Sequence, residues 1–195
     1  AKGLAVSVLD LDPQRSAEQW SELRERRVKT DEPTVVHGAP ADLDGMLEAA
    51  GETGTDLVLI DTPPSVDKSL IYAAAAADVV IVPTRSGVLD QFALKETLDY
   101  LVRIHALGKT VVVRNAPGRD VKANAEIERI TRDFGVATLA VTIEDQVDLA
   151  ASLREGKGVT ESAPKRKSAK AIHELYQQLN AFERRLARTR KQVTA

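Results

Sequence analysis

The sequence predicts an α/β protein: a mostly parallel, doubly wound sheet covered by helices on both faces, in three layers. Three observations predict it. Short β-rich runs alternate with longer segments of helical periodicity. The runs are short and largely apolar, as strands buried on both faces are. Gly108, Gly135 and Gly156 each fall where a helix should stop in a left-handed cap.

Leu4 to Leu9 (LAVSVL) is the first strand candidate, followed by Asp-Leu-Asp-Pro and a helix near Ser16 to Arg27. Thr34 to Val36 is a short strand, Ala41 to Ala50 a helix, and Leu57 to Ile60 a strand between Asp56 and Asp61. The Ala-rich stretch Lys68 to Ala77 is helical, and Val79 to Val82 is a strand closed by Pro83. Phe92, Leu94, Leu98, Leu101, Val102 and Leu107 recur at helical spacing, which predicts a helix over Asp90 to Leu107. Thr110 to Val113 and Ala137 to Ile143 are strands; Val121 to Phe134, Gln146 to Arg154 and Ala169 to Arg190 are helices.

A chain of 195 residues fits one domain, 1–195, and is long enough to bury a real core. With 43% apolar and 29% charged residues, the balance is that of a globular rather than a disordered chain. The absence of cysteine excludes disulfides, thiolate catalysis and Cys-based zinc sites. His37, His105 and His173 lack metal-ligand spacing, and Ser65 and Ser86 have no histidine nearby to suggest a hydrolase triad. No apolar run reaches the roughly 18 residues that cross a bilayer, and the start shows no secretory pattern; a cytoplasmic location is expected. The net charge of −2 hides an asymmetry: nine Lys/Arg against two Glu between Lys165 and Lys191 give +7 there and leave −9 elsewhere.

In parallel sheets ligands sit beyond the carboxyl ends of the strands, so the residues just after each strand carry the chemistry. The first strand ends in Asp10-Leu11-Asp12-Pro13-Gln14. Carboxylates one residue apart on an extended chain point to opposite sides, so Asp10 and Asp12 cannot share one role. A second strand ends in Asp61-Thr62-Pro63-Pro64. A carboxylate closing a buried strand is costly unless a cation neutralises it, and magnesium is the usual partner there. A third strand runs into Asn115-Ala116-Pro117, where an amide is placed to read a base edge or a ribose. Each residue alone also reads as a turn or helix-capping residue. The combination of D-x-D-P-Q and D-T-P-P, about fifty residues apart, is far more specific.

That combination resembles the ParA/MinD-type partition ATPases, closest to the ParA proteins of plasmid and chromosome partitioning. Val8 to Gln14 with Ser16 looks like their second block, Asp56 to Pro64 (DLVLIDTPP) like their magnesium-side strand, and Val82 to Asp90 like the next. Asn115-Ala116-Pro117, Val141-Thr142-Ile143 and Gly158 to Glu161 follow in the expected order. The resemblance implies a P-loop NTPase-like fold and an ATP-dependent homodimer that uses ATP and Mg2+. It also implies non-specific DNA binding, association with the nucleoid, and stimulation by a ParB-like centromere-binding protein. Carried over, Asp12 acts on the attacking water, Asp10 and Asp61 hold the magnesium shell, and Asn115 and Pro117 lie at the nucleotide. The basic end, Lys165, Arg166 and Lys167 with Arg184, Arg185 and Arg188, reads as a phosphate-contacting patch on a helix over about residues 166–191.

One departure is large. The family opens with a strand, a K-G-G-x-G-K-T loop and a helix, whereas no G-x-x-x-x-G-K-[ST] pattern occurs in these 195 residues. The expectation is therefore a chain lacking that first segment, inactive as given, whose strands on either side of the gap pair directly or are completed by another chain. The alternative is a non-catalytic relative acting as a binding or dimerisation module. Gln146 stands where related sequences often carry Arg. A membrane-bound, MinD-like role is disfavoured, because the final helix is expected to lack a bulky apolar face.

Overall fold

The computed structural model describes residues 3–116, 118 and 121–193. Strands and helices alternate along the chain, and every strand pairing is parallel. The chain divides into two compact units: Ala1–Ala77 with Ala151–Gly158, and Asp78–Ala150 with Val159–Ala195.

In the first unit, β1 (Val6–Asp10), β2 (Thr34–His37) and β3 (Leu57–Asp61) form a three-stranded sheet in the order β2-β1-β3. Its helices are α1 (Ser16–Val28), α2 (Leu43–Glu52) and α3 (Lys68–Ala76). Leu9, Leu11 and Leu43 form a small buried core, with Met46, Leu47, Val58 and Ile60 against it. The register sets His37, Asp10 and Asp61 side by side at the carboxyl end of the sheet. Two arginines of α1 grip the segment Ala151–Gly158. Arg24 donates from Nη1 to the Gly156 carbonyl at 3.0 Å, and Arg27 from Nη1 to the Arg154 carbonyl at 2.9 Å. Gly156 is required there: its φ is +70°, and an added Cβ would lie 2.8 Å from the Arg24 Cα.

In the second unit, β4 (Val80–Thr84), β5 (Thr110–Asn115) and β6 (Ala137–Ile143) form a sheet in the order β4-β5-β6. Its helices are α4 (Val88–Arg103), α5 (Val121–Phe134), the first half of α6 (Val147–Arg154), whose residues from Ala151 belong to the first unit, α7 (Val159–Ser162) and α8 (Lys167–Val193). One core cluster joins Val111, Val113, Leu139, Val141 and Ile143 of the sheet to Phe182 of α8.

Three expectations need correction. The final helix does carry a bulky apolar stripe: Ile172, Leu175, Leu179, Phe182 and Leu186 pack on the β6 core, so that face is spent on folding. The helix expected to run to Leu107 stops at Arg103, four residues before its expected end. Its left-handed residue is His105, at φ 56°, rather than Gly108. The His105 N–H donates to Val102 and the Ala106 N–H to Leu101, which closes the helix before the glycine is reached. Gly135 and Gly156 do take the left-handed cap. Finally, of the two outcomes expected beside the gap, direct pairing does not occur among the described residues: β3 and β4 are each an edge strand of their own sheet, with one row of backbone groups left outside the ladder.

Candidate functional site

The acidic strand ends meet at one edge of the first unit. Asp10 and Asp61 are paired in register on adjacent strands, and the Leu11 N–H donates to the Asp61 carbonyl at 2.9 Å. Past Asp10 the chain leaves the sheet. The Arg15 N–H donates to the Asp12 carbonyl at 2.9 Å, closing a turn that leads into α1.

The three carboxylates have different surroundings. Asp10 is fully buried. Its Oδ1 accepts from the Asp12 N–H at 3.0 Å, and its Oδ2 from the Ala17 and Glu18 N–H groups at 3.1 and 3.2 Å. Asp12 is half-buried, with Oδ1 accepting from the Gln14 N–H at 2.8 Å. Asp61 is exposed. Partial desolvation, then the negative charges of Asp10 and of Asp12, push its carboxyl above the ordinary carboxylate range, against a hydrogen bond from the Thr62 backbone. A group raised in this way by like charges suits a neighbouring cation.

His37 continues the row on the other side of Asp10. Its Nδ1 is buried without a hydrogen-bond partner among the described residues. Nearby, Arg15 pairs with Glu18 and holds its carboxyl below the ordinary value, with a further contribution from His37. Sequence spacing gave no sign of this, because only the β1–β2 pairing brings His37 to Asp10.

Asn115 lies in the second unit, exposed at the end of β5. The Ala116 N–H donates to the Ile143 carbonyl, and Ala116 adopts φ 45°. Beside it the Ser86 hydroxyl accepts from the Gly118 N–H at 2.6 Å. Pro117 lies outside the described residues. Lys165, Arg166 and Lys167 are exposed at the start of α8, and Arg184, Arg185 and Arg188 are exposed along it. The Arg185 guanidinium sits 5.0 Å from the centre of the Phe182 ring.

Asp12 and Asp61 supply hard oxygen donors with access to solvent, which fits magnesium held directly or through water. Asp10 does not offer that access. Among the described residues, no group of three or more His, Asp or Glu side chains is disposed to hold a metal by itself. Water or a nucleotide's phosphates would complete the ligands around a cation held there. A cavity of the first unit, about 630 Å3, is lined by Ser7, Leu9, Val36, Gly45 and Met46 among others, and by none of the three aspartates. No helix among the described residues is long and apolar enough to cross a membrane.

No protein-family model matches the sequence. Two characterised proteins do. The chain is 30% identical over 132 residues to the maintenance of carboxysome distribution protein A of Gloeobacter kilaueensis, covering 67% of this chain and 59% of that protein. It is 28% identical over 215 aligned positions to the chromosome-partitioning ATPase Soj of Thermus thermophilus, covering 92% of this chain and 84% of Soj. The chain thus spans less than two thirds of the first relative and most of the second. Among solved structures, the ParA family ATPase from Chlorobium tepidum TLS matches with a TM-score of 0.67 at 13% identity, over 88% of this chain and 85% of that one. The septum site-determining protein MinD from Pyrococcus horikoshii, complexed with Mg-ADP, matches with a TM-score of 0.65 at 15% identity, over 91% and 84%. At such identities these two likenesses speak for the fold alone.

Proposed function

The chain belongs to the ParA/MinD family of partition ATPases, and from that premise we propose that it is the body of an ATP-dependent partition protein acting in plasmid or chromosome segregation. The observation that carries the reading is the register that sets Asp10 beside Asp61 at the carboxyl ends of neighbouring parallel strands, with Asp12 two residues further on and the Asp61 carboxyl raised by partial desolvation and then by the charges of Asp10 and Asp12. Magnesium with a bound triphosphate would supply there the charge neutralisation that phosphoryl transfer needs.

The chain's own residues then divide the work. Asp61 faces the cation from β3. Asp12 keeps one carboxylate oxygen on the Gln14 N–H, which holds its orientation, and directs the carboxylate at the attacking water. Positioning and charge stabilisation, rather than strong basicity, dominate such reactions. By the resemblance, Asn115 and Pro117 are the residues assigned to contact the nucleotide. Lys165, Arg166, Lys167, Arg184, Arg185 and Arg188 contact DNA phosphates, and a homodimer and a ParB-like activator complete the cycle at the nucleoid. No glycine-rich phosphate-binding pattern occurs in these 195 residues. On this reading they neither bind Mg-ATP tightly nor turn it over.

Calorimetric titration tests the last point: heats too small to fit are expected, and micromolar Mg-ATP binding by these residues would refute it. A second reading, a binding or dimerisation module without turnover, is favoured by the same missing G-x-x-x-x-G-K-[ST] pattern. An in-frame glycine-rich loop encoded upstream decides for the enzyme.

A further inference from the structure

We propose that Asp10 is a positioning residue that ties the start of α1 to the end of β1 and so presents Asp12, rather than a member of the magnesium shell; this rests on the reading of Asp12 and Asp61 given above.

The first turn of a helix has N–H groups with no partner inside the helix. They are usually met by the side chain of the residue just before it. In α1 that residue is Arg15, which adopts a left-handed backbone (φ 54°, ψ 40°) and makes no side-chain cap. Asp10 supplies the missing acceptor from seven and eight residues upstream, its Oδ2 receiving the Ala17 and Glu18 N–H groups. A negative charge at that end of a helix is also favourable. The other oxygen, Oδ1, receives the Asp12 N–H. The Asp12 turn is thus held from both sides: Asp10 fixes its N–H, and the Arg15 N–H fixes its carbonyl.

The geometry leaves Asp10 little else to do. Both oxygens are engaged with backbone, and the residue has no exposed surface. A metal shell needs lone pairs that reach its waters, and those belong to Asp12 and Asp61. The three aspartates therefore split into one that holds and two that face the ligand.

Amide hydrogen exchange by NMR on the 195-residue chain tests this with Asp10→Ala and Asp10→Asn. An asparagine keeps one acceptor oxygen but turns its NH2 toward the remaining donor. It should preserve slow exchange at Ala17 and Glu18 while speeding Asp12 about tenfold, the factor expected for about 1.4 kcal/mol. Asp10→Ala should speed all three. In the asparagine variant the Lys29 N–H, bonded to Glu25 at the far end of α1, should not change, which separates positioning of the loop from general loosening. Magnesium chloride alone is the second probe: shifts at Asp12 and Asp61 should survive Asp10→Asn and vanish in Asp61→Asn. Unchanged Asp12 exchange in both Asp10 variants overturns the proposal. So does loss of the magnesium response in Asp10→Asn with the Asp12, Ala17 and Glu18 amides still protected. If wild type shows no magnesium response at all, the metal reading of Asp12 and Asp61 fails, while the exchange data still decide the role of Asp10.

Discussion

The two sheets share a plan, three parallel strands with helices between them, but their interiors and their strand ends differ. In the second, Val111 and Val112 are fully buried and a ring of branched residues closes on Phe182 of the long C-terminal helix. In the first, the large buried apolar side chains are the leucines Leu9, Leu11 and Leu43, with Ala50, Ala73 and Ala74 also buried, while Val36 of β2 and Leu59 of β3 are exposed to 43% and 47%. The strand ends show the opposite bias. The first sheet closes in His37, Asp10 and Asp61, the second in Thr84, Asn115 and Ile143. Charge gathers where packing is thin, because a carboxylate cluster keeps its ionised form only with water, backbone donors or a cation in reach. The lesson is that the second unit is organised around packing and the first around its polar end.

Five outcomes would break or sharpen that contrast. The largest concerns the core of the second unit: Phe182→Ala should cost about 3–5 kcal/mol in chemical denaturation, and a loss under about 1 kcal/mol would mean that α8 does not close that core. Next is Gly156→Ala in the first unit. The new methyl meets the Arg24 backbone at 2.8 and 2.9 Å, and the positive φ adds strain. Together these should cost about 2–4 kcal/mol, read from the shift in denaturation midpoint. Third, Asp67 caps α3 by accepting from the Ser69 N–H at 2.8 Å, so Asp67→Ala should cost about 1 kcal/mol.

The fourth concerns the exposed arginines of α8. Replacing both Arg184 and Arg188 with Ala should weaken DNA binding in a mobility assay. It should also flatten the dependence of log affinity on log salt by about two; an unchanged slope removes them from the DNA contact. The smallest is Asp61→Asn. Because the folded-state pKa is raised above the unfolded 3.8, the ionised carboxylate opposes folding once the pH exceeds the folded value. The variant should therefore melt about 1 °C higher at neutral pH, a few tenths of a kcal/mol after allowing for solvent screening. That gain should disappear below pH 3.8, where the group is protonated in both states.

The contrast also explains what was legible in the sequence. Strands such as Thr110 to Val113 announce themselves because every residue is apolar or β-branched, and helix Val121–Phe134 and strand Ala137–Ile143 take their expected limits. The end of α4 was misread because a histidine occupies the left-handed position where glycine is the usual signal. The stripe on α8 was hidden because Ile172, Leu175, Leu179 and Phe182 are interleaved with His173, Glu174, Gln177 and Gln178. At the site, the spacing of the aspartates singled out Asp10, Asp12 and Asp61 as candidates but not the backbone groups that hold Asp10 and Asp12. The donors to Asp10 lie up to eight residues downstream, and the contact that demands Gly156 comes from Arg24, 132 residues away. Such pairings are set by tertiary folding and leave no local pattern.

The central claim is that Asp12 and Asp61 together face a divalent cation. Manganese chloride added to the chain at low ratio, followed by paramagnetic broadening of amide signals, tests it most directly. The amides of Asp12, Gln14, Asp61 and Thr62 should broaden first, and Asp61→Asn should abolish this. Broadening spread evenly over the acidic surface, or centred elsewhere and unaffected by Asp61→Asn, would contradict it.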